Sequence, residues 1–135
     1  MYPRNRPLIQ TRSVHSPAEP SDGLRVLVSR FRGHGLPKSC CDVWMPNLGP
    51  SEELLRSVLD GKVSWRDFEK RYPTELLEEA PVDRHNRTIK NHGQKFTLRL
   101  LQALAEQGTV TLMCQCPEDA EQCHRYTLAK MVEKA

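Results

Sequence analysis

Thr109-Val-Thr-Leu-Met-Cys-Gln-Cys-Pro-Glu-Asp-Ala-Glu-Gln-Cys-His-Arg125 is the stretch that decides the architecture. Its first six residues follow Gly108 and are β-branched or apolar almost throughout, so they read as a buried strand. Pro117 and the acidic residues after it cannot continue that strand. A helix opens near Cys123 or His124, with Leu128, Met131 and Val132 spaced as one buried stripe. Strand, loop and helix in that order form the most regular unit of the chain, and the rest is read outward from it.

Upstream, residues 94–107 read as a helix with Phe96, Leu100, Leu101 and Leu104 turned inward and Gly108 as its stop. Residues 81–93 carry Arg84, His85, Arg87, Lys90 and His92 with almost no apolar period, which makes a long basic loop. Ser64 opens an earlier helix in a capping-box pattern with Asp67, and Trp65, Phe68, Tyr72 and Leu76 share its inner face. Ser51 caps a shorter one, in which Glu52 and Glu53 suit the positive helix end; Leu54, Leu55, Val58 and Leu59 form its apolar side, and Gly61 ends it. Residues 38–50, with Cys40, Cys41, Asp42 and Trp44, read as extended and irregular. Leu24-Arg-Val-Leu-Val-Ser29 is the best strand of the first half, and Asp22-Gly23 supplies the positive-φ turn that starts it. Leu8–Val14 reads as a shorter strand. The sum is an α/β fold: a small, at least partly parallel sheet covered by helices, forming a single domain over residues 8–135 behind a flexible arm at 1–7.

The chain has 135 residues, 38% of them apolar, which suffices for one core and leaves little for a second. No apolar run approaches the roughly 18 to 20 residues of a membrane span, and the first residues lack the apolar stretch of a secretory signal, so a cytoplasmic protein is expected. A net charge of +3, spread along the chain, permits an anionic ligand but is not the dense basic stripe of a nucleic-acid module. Five cysteines make an odd count without an export signal. Free thiols, a metal site or a reactive thiolate are therefore better readings than a disulfide framework.

These considerations converge on Cys123-His124-Arg125. Ligands collect beyond the carboxyl ends of parallel strands, and a helix start there offers free N–H groups to an anion. A cysteine at such a start tends towards the thiolate. Cys123 and His124 are thus the candidate catalytic pair, thiol and proton carrier, with Arg125 and Cys114 as ligand-binding neighbours. Arg30 and Arg32 join them if the second strand lies parallel to and beside the last. The phosphatase spacing is absent, since six residues after Cys116 comes Gln122. Cys114, Cys116, Cys123 and His124 form an alternative zinc set, although Cys-X-Cys followed by an adjacent Cys-His is not the common finger spacing.

Leu24-Arg-Val-Leu-Val-Ser-Arg30, Asp42-Val-Trp44, Leu48-Gly-Pro-Ser51, Trp65-Arg-Asp-Phe68 with Arg71-Tyr72, and Val110-Thr-Leu-Met-Cys114 with Cys123-His-Arg125 together resemble the YeaO-like family, domain of unknown function 488. The resemblance runs in order from about Leu8 to Val132, and Cys-His-Arg after a strand and a cysteine is its most specific part. It implies an α/β fold and a cytosolic protein, and it brings no reaction. Members often carry Trp-Pro-Arg-Gly where this chain has Phe31-Arg32-Gly33. Many have an acidic residue where Cys116 stands, and that exchange raises the metal and redox alternatives.

The leading expectation is a site for a phosphate, nucleotide or other anionic small molecule, built from Arg30, Arg32, Arg125, Cys123 and His124 and without a cofactor. A non-catalytic module that uses the basic loop 84–92 to hold nucleic acid or protein is the rival of a different class. Zinc or thiol redox at the cysteines is the third.

Overall fold

The inner strand β4 (Val110–Cys114) is buried at every position and is flanked on both sides by parallel partners. The computed structural model describes residues 8–33, 35–81, 84–85, 88 and 93–135. The expected arm at 1–7 and most of the basic loop lie outside these, although Arg84 and His85 are described and exposed.

β1 (Ile9–Ser13), β2 (Leu24–Leu27) and β3 (Val43–Trp44) join β4 in the order β1-β4-β2-β3, with every described pairing parallel. The expected parallel sheet is thus present. The short edge strand β3 falls in the segment read as irregular, because two residues give no period to detect. Asp42 fixes its position by accepting the Arg25 N–H at 2.8 Å and donating its own N–H to the Arg25 carbonyl.

Alternation along the strands sorts the side chains onto two faces. Leu24, Val26, Val28, Val110 and Leu112 face the main core, which is completed from α1 (Glu52–Leu59), α2 (Trp65–Leu76), α3 (Lys95–Gln107) and α4 (His124–Lys134). α3 and α4 lie against the sheet, with α2 on α4 and α1 on α2. Ser51 and Ser64 cap their helices as expected, each accepting the N–H three residues on. On α3 the inward residues are Leu98, Leu101 and Ala105, whereas Phe96, Leu100 and Leu104 are exposed. That helix carries two apolar stripes, and packing against α4 and β4 selects one of them. Among the described residues no helix is long and apolar enough to cross a membrane.

The opposite face holds Leu27 and Met113 beneath Val14 and Cys40, and a polar set where the link from β1 to β2 crosses β4. Asp22, 1% exposed, lies there: its carbonyl accepts from Thr111 Oγ1 at 2.6 Å, and its carboxylate takes Arg12 Nη1 at 2.9 Å and Arg25 Nε at 3.3 Å. Burial by itself would raise the Asp22 pKa, but the Glu19 N–H and the two guanidinium groups outweigh it and hold it below the usual carboxylate range. A depressed folded-state pKa contributes stability that is present above the unfolded value and lost as pH falls through the folded one. Urea midpoints should therefore fall as the solution is acidified below about pH 4, and Asp22→Asn should be weaker at neutral pH with a shallower acid dependence. Parallel acid slopes for the two proteins would contradict this.

Candidate functional site: a three-thiol cluster

Because β4 alternates, Cys114 points to the same side as Val110 and Leu112, towards α4. Cys123 is the N-cap of that helix, in extended backbone and with no side-chain cap bond of its own. The two sulfurs consequently meet at 2.8 Å, with Cys114 1% and Cys123 2% exposed. Cys116 leaves the strand end, turns back, and donates its backbone N–H to Cys114 Sγ at 3.3 Å. All three sulfurs lie within 4.8 Å of one another, and only Cys116 is half-buried rather than buried.

Arg125 lies beneath the cluster and is fully buried. Its Nη1 donates to Cys114 Sγ at 3.1 Å and to the Cys116 carbonyl at 3.4 Å. Its Nη2 donates to the carbonyls of Pro117 and Glu118, both at 3.1 Å, and meets the Tyr126 hydroxyl, which in turn donates to the Ala120 carbonyl. The guanidinium also lies 5.0 Å from the centre of the Tyr126 ring. Buried cations persist only where their donors are met, and here three carbonyls of the turn 116–120 accept from the guanidinium while Nε stays unpartnered among the described residues. Arg125 thus shapes the loop that carries Cys116.

The helix-start thiol does not become the favoured thiolate. Hydrogen bonds with Cys114 and Cys116, and then burial, push the Cys123 pKa up. Cys114 is likewise raised, first through Cys116. Cys116 is held far below the ordinary thiol range because Cys114 and Cys123 both donate to it, with His124 and Arg125 adding positive potential. The expectation that the helix end alone would ionise Cys123 misses the two neighbouring thiols, which compete for one negative charge.

His124 turns away from the sulfurs. Its Nε2 lies 2.9 Å from the Val28 carbonyl, an acceptor, so that nitrogen carries a proton, and the ring meets Tyr72 edge-on at 5.6 Å. Burial lowers its pKa, and the Val28 carbonyl and Cys116 partly oppose that shift. Tyr72, itself buried, donates to the Leu48 carbonyl. In this arrangement the imidazole clasps α4 to the end of β2, and it is not among the clustered metal-type donors of the described residues.

Arg30 and Arg32 do reach the carboxyl end of the sheet, since β2 pairs parallel to β4, but among the described residues their guanidinium groups make no hydrogen bond to Cys114, Cys116 or Cys123, and Arg32 Nη2 instead meets Cys40 Sγ at 3.8 Å. Arg30 bonds the Pro50 and Gly49 carbonyls at 2.7 and 3.0 Å, and Arg32 those of Leu36 and Pro37, both at 2.8 Å. Sequence reading did not single out Tyr126, which has no motif to mark it. It also missed the part played by the 116–120 carbonyls, which no side-chain pattern encodes. A polar cleft of about 410 Å³, walled in part by Trp65, Glu69, Glu121, Cys123 and Lys130, opens beside the cluster.

A parallel sheet whose inner strand ends in clustered thiols, closed over by a helix start and a buried arginine, defines a small α/β protein with a thiol site. The chain belongs to the DUF488 family: residues 9–135 match DUF488-N3a, described as the active DUF488-N3 subclade. It is 33% identical over 95 residues to the "Uncharacterized protein YeaO" of Escherichia coli (strain K12), an alignment covering 69% of this chain and 80% of that protein. No solved structure matches the chain significantly.

Proposed function

We propose that this is a thiol–disulfide redox protein in which Cys114 and Cys123 form the reversible couple and Cys116 is the thiol that meets the substrate. The observation that carries the reading is the pair of buried sulfurs 2.8 Å apart. A disulfide needs about 2.05 Å, so bond formation requires only a small approach and little backbone movement. Cys116 is the least buried member of the three, and the adjacent cleft is walled by its neighbour Cys123. The description of the matched subclade as active accords with a chemical role.

The exchange balances as follows. The Cys116 thiolate attacks one sulfur of a low-molecular-weight disulfide, and the other sulfur leaves and takes a proton. Cys123 attacks the Cys116 sulfur and frees the second substrate thiol. Cys114 then attacks Cys123, which restores Cys116 and leaves the Cys114–Cys123 bond. One substrate disulfide becomes two thiols while the protein dithiol is oxidised. An anionic ligand, by contrast, would have to displace bonds that Arg30, Arg32 and Arg125 already make to the chain's own carbonyls.

The test is to expose the fully reduced chain to oxidised glutathione and map cross-links by mass spectrometry. The expected product has lost two hydrogens and joins Cys114 to Cys123, and Cys116→Ser should slow its formation at least about tenfold. Absence of that cross-link overturns the couple. An unchanged rate in Cys116→Ser overturns the relay.

A further inference from the structure

The three sulfurs also satisfy the requirements of a different ligand. We propose that the reduced Cys114, Cys116 and Cys123 thiols bind a thiophilic divalent metal ion, with zinc as the representative, and that metal occupancy and the Cys114–Cys123 disulfide exclude one another. Metal binding stands on the cluster geometry alone. The mutual exclusion adds a regulation to the redox reading and rests on it.

Three donors from two segments, the strand end and the helix start, converge within 4.8 Å. Zinc–thiolate bonds of about 2.3 Å in tetrahedral array place neighbouring sulfurs about 3.8 Å apart. The 2.8 Å gap between Cys114 and Cys123 therefore has to open by about 1 Å to hold a metal, and to close by slightly less to form a disulfide. The pair lies between the two states, and reaching either one forecloses the other.

Charge selects a divalent ion. Three thiolates with the buried guanidinium of Arg125 leave a net charge of two negatives, which a divalent cation neutralises and a monovalent one does not. Arg125 Nη1, 3.1 Å from Cys114 Sγ, would then serve as the outer donor that steadies a coordinating sulfur. The His124 imidazole, held at the Val28 carbonyl, leaves the fourth position to water from the Cys116 side. Cys40 and Cys41, whose sulfurs are 3.7 Å apart, are a separate pair that lines the opposite face of the sheet, and they supply the internal control.

Cobalt(II) is the spectroscopic probe for the experiment, added to the reduced full chain under anaerobic conditions. The expected result is a near-ultraviolet thiolate charge-transfer band that saturates at one ion per chain. Zinc should displace it, and Cys116→Ser, a half-exposed position that the fold tolerates, should weaken it at least about tenfold. The band should persist when Cys40 and Cys41 are both changed to Ser. No saturable band in the wild-type chain overturns the metal site, as does a band that follows Cys40 and Cys41. In the second arm, zinc-loaded and metal-free protein are exposed to oxidised glutathione, and the loaded form should cross-link at least about tenfold more slowly. Equal rates overturn the exclusion. Metal binding without any cross-link in metal-free protein refutes the redox reading and leaves the metal site standing; the converse refutes the metal site alone.

Discussion

Arg125→Met is expected to lose about 3 to 5 kcal/mol of stability, read as a lowered urea midpoint and a thermal transition roughly 10 °C or more below wild type. The side chain is fully buried, and its removal strips donors from the carbonyls of Cys116, Pro117 and Glu118 and from the Cys114 sulfur at a single stroke. Methionine fills much of the volume but satisfies none of those acceptors, and buried acceptors left unmet are penalised by their full desolvation. Arg125→Lys should lie between, because an ammonium restores charge without the planar fork that spans several carbonyls. If the methionine variant unfolds within 1 kcal/mol of wild type, the loop 116–120 finds other partners and Arg125 is no organiser of the site. The thiols should report the same loss independently, through faster alkylation of Cys114 and Cys123 in the variant.

The second large effect lies at the other end of the sheet. Gly23 has φ 62°, and a Cβ there would come 2.1 Å from the Thr109 carbonyl oxygen. That oxygen accepts the Leu24 N–H at 2.9 Å, a bond that starts the pairing of β2 with β4. Gly23→Ala therefore combines an unfavourable backbone conformation with a clash against backbone, which cannot swing aside as a flexible side chain would. A loss of about 3 kcal/mol or more is expected by urea unfolding. Gly61→Ala is the comparison: its φ is 74°, but nothing lies near its added Cβ, so conformational strain acts there alone and the loss should be smaller. Equal losses at the two positions would show that the contact with Thr109 yields easily.

The contrast between those two glycines separates what is local from what is not. The positive φ at Gly23 is legible in Asp22-Gly23, because a turn before a strand has few solutions. Its clash with Thr109 involves residues far apart in the chain. The same division runs through the cysteines. That Cys114 ends a strand and Cys123 begins a helix is written in the apolar run and in the helical stripe after it. That the Cys116 pKa is lowered while that of Cys123 is raised depends on three sulfurs meeting, which spacing does not reveal.

By itself the sequence determined the strands read at 8–14, 24–29 and 109–114, which the structure bounds at 9–13, 24–27 and 110–114, the caps at Ser51 and Ser64, and the location of Cys-His-Arg at a helix start. Each of these follows from periodicity or from one residue's backbone chemistry within a few neighbours. Tertiary structure alone decided which stripe of α3 is buried, where β3 pairs, and that Arg125 turns inward to the 116–120 carbonyls. It also turned His124 to the end of β2 and gathered Cys114, Cys116 and Cys123 into one cluster. Those outcomes depend on surfaces brought together from distant parts of the chain, where competing local choices are nearly equal until packing and the burial of charge separate them.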